Sequence, residues 1–507
     1  MNYNTLSGSA KFYKKAGLLA TGQMVASGEV PNIAIITTLN PFEHKRLVES
    51  VGFGVRSSGG AVCVYNLTSF GGSNKINPMT AKFAQSFKRT TSANTEAIIK
   101  TNLIDGIVAV TDCEITASGI IDACSRVNCP ILILSTGVIG SPAGEPLGMH
   151  NIKPQHILGA VAGGRLNAKQ GEELISNAHL PQGIGADLNS VSTFFIIAEC
   201  FGLAVANAGT NIAGSGAQYR TAVATGEQIC KNAKDMLSPR KFLTRPALNN
   251  AIALTLSIGG NVSAISHWKT LVSQYEPKIP HEIIAEISAK TPLLVAPVDA
   301  HCSTVRIIGV SKILKQLTSI PKFIDETVLT VTGEKLRSVN AEVESSALET
   351  VSKTANVVLC KGTAVSAGGY AQPNPETPTV FSGKAWVYDD LESADKALLT
   401  GSIPNGSIVV ARNCVDNYIT CLIHTIEGMQ KTKDIAVITD GLCEKTDVLV
   451  VTQCTPSGMA NEEFANIQNG DQLEIDLGRG RLSTNILAKD LKGRQKKNSV
   501  RKEQFYF

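Results

Sequence analysis

Long apolar runs are the first pattern the chain offers. Residues 33–39, 61–65, 107–111 and 131–135 are dominated by Ile, Val, Leu and Ala, as strands buried on both faces must be. Longer segments with helical spacing lie among them, over 42–57 (stopped by Gly59-Gly60) and 78–101. Strand and helix in alternation predict repeated βαβ units, hence a parallel sheet with helices on both faces. From about 154 to 320 helical spacing dominates, over 190–203, 216–237, 246–258 and 262–274, with Ser238-Pro239 and Arg245-Pro246 as helix starts. A polar, Glu-rich helix or linker follows over 338–353. At about 355 the pattern changes to short β runs, over 356–359, 384–388, 407–411, 435–439, 448–452 and 472–475. Pro404-Asn405-Gly406 and Asn469-Gly470-Asp471 punctuate them as turns. The expected fold class is therefore α/β. An N-terminal parallel-sheet α/β domain with a helical part is expected over 1–350, a β-barrel-like C-terminal domain over 351–487, and a basic tail over 488–507.

Composition narrows the classes of function. With 507 residues, 43% hydrophobic and 18% charged, the chain has material for large cores. Aromatic residues at 5%, with two Trp, argue against a base- or sugar-stacking surface. A net charge of +4 selects no partner. The first 22 residues lack the apolar stretch of a signal peptide, and no apolar run is long enough to span a bilayer. A cytoplasmic location with no membrane contact is the expectation. The twelve Cys contain no CxxC pair, and in that compartment they read as reduced thiols. From Lys489 to Lys502, Lys489, Lys492, Arg494, Lys496, Lys497, Arg501 and Lys502 stand against Asp490 alone. This tail is read as solvated rather than as a nucleic-acid contact.

The stretch Ile104 to Gly137 carries the chemistry. It reads as a buried strand, a polar turn with Cys113, a crossover helix and a second buried strand. The turn after a parallel strand's C-terminal end is where ligands sit in such sheets. Cys113 there is a metal or cluster ligand, a nucleophile or a small buried residue, and burial is the simplest of the three. Glu114 opens a helix, where its carboxylate meets the positive end of the dipole. Asp440, in Thr439-Asp440-Gly441, reads first as a turn former. Cys443 and Glu444 follow it as a candidate nucleophile and a candidate base. His267, beside Trp268, reads as a satisfied core or interface histidine.

Five segments carry a family likeness: LIDGIVAVTDC ending at Cys113, LSPRKFLTRPALNNAIALTLSIGGNVSAISH ending at His267, FSGKAWVYD from Phe381, KDIAVITDG ending at Gly441 and NIQNGDQLEIDLGRGRL from Asn466. In wording, order and spacing the chain resembles the dihydroxy-acid and phosphogluconate dehydratase family over roughly residues 10–486. The resemblance implies an N-terminal α/β domain, a C-terminal β-barrel domain, an active site between them, and a dimer or larger assembly. It also implies water removal from a hydroxy acid. An iron–sulfur cluster on three Cys, a Mg²⁺ held by carboxylates and a carbamylated Lys, and a Ser base near the TDG strand would carry that chemistry.

Several positions depart from that pattern. The loop Thr37-Thr38-Leu39-Asn40-Pro41-Phe42 has no Cys, Cys113 matches the second cluster Cys, and Gly185 stands at the third. Phe70, Glu114 and Ile115 stand at three Mg²⁺ positions, the late Glu falls near Tyr418, and Glu444 stands at the Ser. From these departures the expectation is a chain that has lost Fe–S- and Mg²⁺-dependent dehydration. It would be a pseudoenzyme, acting as a non-catalytic binding, regulatory or structural subunit, with no cofactor and no metal. The alternative is a hydro-lyase or other metal-free enzyme acting on a small hydroxy acid in the interdomain cleft, using Cys113, Glu114, Asp440, Cys443 and Glu444. The expected partners are a second copy in a dimer, or a relative in a hetero-oligomer, and a small acid ligand.

Overall fold

A computed structural model describes residues 8–20, 30–38, 44–68, 70, 77–139, 153–176, 183–296, 300–343, 348–414, 418–454 and 462–494. The first sheet holds four parallel strands in the order β2-β1-β3-β4. They are β1 (Asn32–Thr37), β2 (Ala61–Asn66), β3 (Gly106–Thr111) and β4 (Ile131–Ser135). The apolar runs form β1, β3 and β4, and all three are buried along their whole length. Helices Lys45–Ser57, Ala84–Thr101 and Glu114–Val127 are the crossovers. The segment expected as one helix over 78–101 begins instead as a single 3-10 turn, Ala81–Phe83. Likewise the helix expected over 190–203 is α-helical over Ser190–Ile197 and tightens to 3-10 geometry over Ala198–Phe201. There Phe194 and Phe201 stack on Trp268, with ring centroids 4.8 and 4.2 Å away.

Strands β5 (Val358–Cys360) and β6 (Gly369–Ala371) form an antiparallel pair. The second large sheet holds β7 (Val380–Tyr388), β8 (Ser407–Ala411), β9 (Ile435–Thr439), β10 (Val450–Val451), β11 (Gln472–Asp476) and β12 (Arg481–Thr484). Its order is β10-β9-β8-β7-β11-β12, curled into a half-barrel. The β-rich expectation missed one feature of it. β7 through β10 run parallel, and only β11 and β12 are antiparallel. Parallel neighbours need crossovers, and the helices Leu391–Leu399 and Thr420–Gly428 supply those from β7 to β8 and from β8 to β9. The first is signalled by Asp390, whose carboxylate accepts from the Ser393 N–H at 2.8 Å.

The two halves meet where helix Pro154–Ala162 crosses helix Thr420–Gly428. Both carry glycine at the crossing. A Cβ on Gly159 would fall inside contact distance of the Thr425 carbonyl, and one on Gly428 inside that of the His156 carbonyl. A second seam forms where the turn after β9 reaches the N-terminal half. Ser263 Oγ donates to the Cys443 carbonyl at 2.7 Å, and Asn261 Nδ2 donates to it at 3.3 Å. The ends of β3 and β9 thus face one seam. Among the described residues no helix is long and apolar enough to cross a membrane.

Candidate active site

β3 ends at Thr111, whose Oγ1 accepts from Thr38 Oγ1 at 2.8 Å and from the Cys113 N–H at 3.3 Å. These bonds turn the chain into helix Glu114–Val127 with Cys113 at its cap. Cys113 is fully buried, and burial, with Glu114 beside it, pushes its thiol pKa far up. It packs with Ala84, Ile115, Tyr418 and Leu442, and Phe70 and Phe87 close over this cluster. Such a thiol stays protonated and is a poor nucleophile.

Glu114 sits 1% exposed at the first turn of that helix. Ser190 Oγ lies 3.3 Å from its Oε1 and 2.8 Å from Tyr418 Oη. His267 Nε2 lies 2.9 Å from the same Tyr418 Oη. Four polar side chains from both halves therefore form one buried chain, Glu114–Ser190–Tyr418–His267. Burial raises the Glu114 pKa to about 7, against its own backbone N–H and the Tyr418 hydroxyl, and the Glu444 charge raises it further. Burial, with Lys88 nearby, lowers His267 to about 3, so its ring is neutral. The Glu114 Oε2 atom has no hydrogen-bond partner among the described residues. The site therefore holds a proton on a carboxyl near neutral pH, the condition a general acid needs.

The titration of Glu114 gives a stability test. An acid whose pKa is raised on folding binds its proton more tightly in the folded state. Its contribution is fully present below about pH 4.5 and is lost as pH rises towards about 7. Relative to Glu114→Gln, the wild-type chain is expected to lose on the order of 3 kcal/mol across that window. Denaturant unfolding of both proteins at several pH values reads this directly, and a constant difference contradicts it.

The remaining candidates lie across the seam. Asp440 spends both oxygens on backbone, accepting from Cys414 N at 2.8 Å and Asn413 N at 3.0 Å. Burial still raises it to about 6. Cys443 is buried, and desolvation pushes its thiol far up. Glu444 is 9% exposed, with Oε1 lacking a hydrogen-bond partner among the described residues and Oε2 4.0 Å from Lys153 Nζ. The fold thus brings Glu114, Cys443 and Glu444 to one seam, while Asp440 faces the 413–414 turn. Ser190 and Lys153 were not singled out from sequence. Tyr418 was noted only as the place of an absent Glu, and His267 only as a core residue. Their partners lie 76 to 291 residues away, and the one local signal is a polar residue inside an apolar helical run.

The implied cofactors need thiolate donors for a cluster and oxygen donors for Mg²⁺. Among the described residues, no group of three His, Cys, Asp or Glu side chains is placed to hold a metal ion. Cys113 offers one thiol. Gly185 packs against the Asn189 side chain, which caps helix Ser190–Ile197 by accepting from the Ser192 N–H at 2.9 Å. Among the described residues, Cys113 and Glu114 by themselves do not complete a cluster or Mg²⁺ site. Residues 39–43, 69, 71–76 and 415–417, where other departures fell, lie outside the described residues, as does the tail beyond 494.

Comparison with known proteins adds the family. Residues 30–339 match the family model for the dihydroxy-acid/6-phosphogluconate dehydratase N-terminal domain, and residues 343–506 match that for the C-terminal domain. A protein of Pyrococcus abyssi named dihydroxy-acid dehydratase is 26% identical over 496 residues, covering 92% of this chain and 89% of that protein. One of the same name from Methanococcoides burtonii is 23% identical over 518 residues, covering 97% and 94%. These findings overturn the expectation of a pseudoenzyme, a non-catalytic subunit without cofactors. That reading treated each departure as a subtraction. Glu114 and Tyr418, two of the substituted positions, instead join one buried proton-bearing chain, and nothing positively shows that catalysis was given up.

Proposed function

The chain belongs to the dihydroxy-acid/6-phosphogluconate dehydratase family, and from that premise we propose that it is a hydro-lyase acting on a small hydroxy acid at the seam between its halves. The observation that carries this reading is the buried chain Glu114–Ser190–Tyr418–His267, built from both halves at the end of β3. Loss of water from a dihydroxy acid breaks a C–H bond beside the carboxylate and a C–O bond one carbon further on. The C–H electron pair becomes the C=C of an enol, the hydroxyl leaves with a proton as water, and the enol tautomerises to a keto acid. Hydroxide is a poor leaving group, so the departing oxygen needs a proton as it goes. Glu114 carries one near neutral pH. Ser190 and Tyr418 fix its orientation, and neutral His267 fixes Tyr418. Glu444 is the carboxylate across the seam that receives the carbon-bound proton.

The test is keto-acid formation by protein purified without air and assayed with Mg²⁺. The probes are 2,3-dihydroxybutanoate, its 3-methyl derivative and 6-phosphogluconate. A keto acid trapped as its hydrazone is the expected product from at least one. No keto acid from any of the three overturns the reading.

A further inference from the structure

Lys153 lies outside the buried chain. It precedes helix Pro154–Ala162 and is 30% exposed along its side chain. Its Nζ stands 2.6 Å from His424 Nε2 and 4.0 Å from Glu444 Oε2. His424 is buried, and burial, Lys153 and His156 hold its pKa well below the usual imidazole range. A neutral ring has one nitrogen free to accept, so the Lys153 ammonium donates to Nε2. The histidine therefore tethers the lysine, and the lysine carries positive charge towards Glu444. The other nearby carboxylate, Glu427, accepts from Thr446 Oγ1 at 2.7 Å.

Glu444 is thus held on one side only. Oε2 faces Lys153, while Oε1 has no hydrogen-bond partner among the described residues. Glu444 also lines a small pocket shared with Val262, Tyr370, Gln372, Cys443 and Val448. Gln372 is itself occupied, donating to Gly260 O at 2.6 Å and accepting from Val262 N at 3.2 Å.

We propose that Lys153, tethered by His424, is the positioning residue of Glu444: it anchors Oε2 and leaves Oε1 as the atom that accepts the substrate's carbon-bound proton. This rests on the hydro-lyase reading above. In the step, the C–H proton moves to Oε1, its electron pair enters the enol, and the hydroxyl leaves with the Glu114 proton. Lys153 exchanges no proton with substrate; it supplies charge and direction.

Four variants test this: Lys153→Met, Lys153→Arg, Glu444→Gln and the double variant Lys153→Met/Glu444→Gln. With whichever of the three probes wild type turns over, Lys153→Met is expected to lower kcat at least about 10-fold and leave KM within about 3-fold, as for a group acting in the transition state. Lys153→Arg keeps the charge and is expected to recover most of the loss. Thermal unfolding supplies a readout that needs no substrate. If the two residues are paired, the double variant loses less Tm than the two single losses added together. Wild-type kcat in Lys153→Met, or strictly additive Tm losses, overturns the proposal while leaving the hydro-lyase reading intact. Failure of wild type itself to form a keto acid removes the reading instead, and the Tm cycle then still decides whether the pair exists.

Discussion

Replacing Glu114 by Gln is expected to lower kcat by about 10² to 10⁴, the range for removal of a general acid. Gln keeps the size of the side chain and can still meet Ser190, which lies 3.3 Å from Oε1. What it lacks is a proton to give. KM is expected to change little, because the proton moves only as the C–O bond breaks. The same variant is expected to unfold at a higher temperature than wild type at neutral pH, since it removes a buried acid whose ionisation opposes folding. A more stable but inactive protein is hard to explain by misfolding. Steady-state keto-acid formation and a melt on one sample check both halves, and activity within 10-fold of wild type removes Glu114 from the chemistry. Ser190→Ala is the companion: it leaves the acid and loosens its orientation, so a smaller fall is expected.

How much of this was legible in the sequence follows from the range of the forces involved. β4, β8 and β9 were read to the residue at 131–135, 407–411 and 435–439. Burial on both faces leaves a continuous apolar run that no turn residue interrupts. Helix Thr420–Gly428 escaped because it too is buried nearly all round, so no polar face marks its period. Without that crossover, nothing in the two short β runs marks β8 and β9 as parallel neighbours. Cys113, Glu114 and Glu444 were legible because each follows a recognisable strand end. Tyr418 was not, because its meaning lies in Ser190, 228 residues away, and in His267, 151 residues away. A family pattern compared position by position registers each substitution as a missing ligand. It cannot register that two of the new side chains meet through a third.

The glycine crossing of Pro154–Ala162 and Thr420–Gly428 is where stability and chemistry converge, and Gly428→Val is expected to harm both. The added side chain meets backbone, the His156 carbonyl, rather than a flexible side chain, so the helices must separate. Overpacking of this kind costs about 1–3 kcal/mol and occasionally more; against fixed backbone the upper end applies. Gly17→Ala is the control, since a Cβ there meets nothing within 4 Å and alanine in a helix gains about 0.5–1 kcal/mol over glycine. Lys153 stands immediately before the displaced helix, so the same shift carries its ammonium away from Glu444. Gly428→Val is therefore expected to lose activity at temperatures well below its own melt, with a kcat defect resembling that of Lys153→Met. Combining Gly428→Val with Lys153→Met should then add little further loss in kcat, because each removes the same contact. Multiplicative losses would mean that the crossing holds the two halves together without setting the position of Lys153.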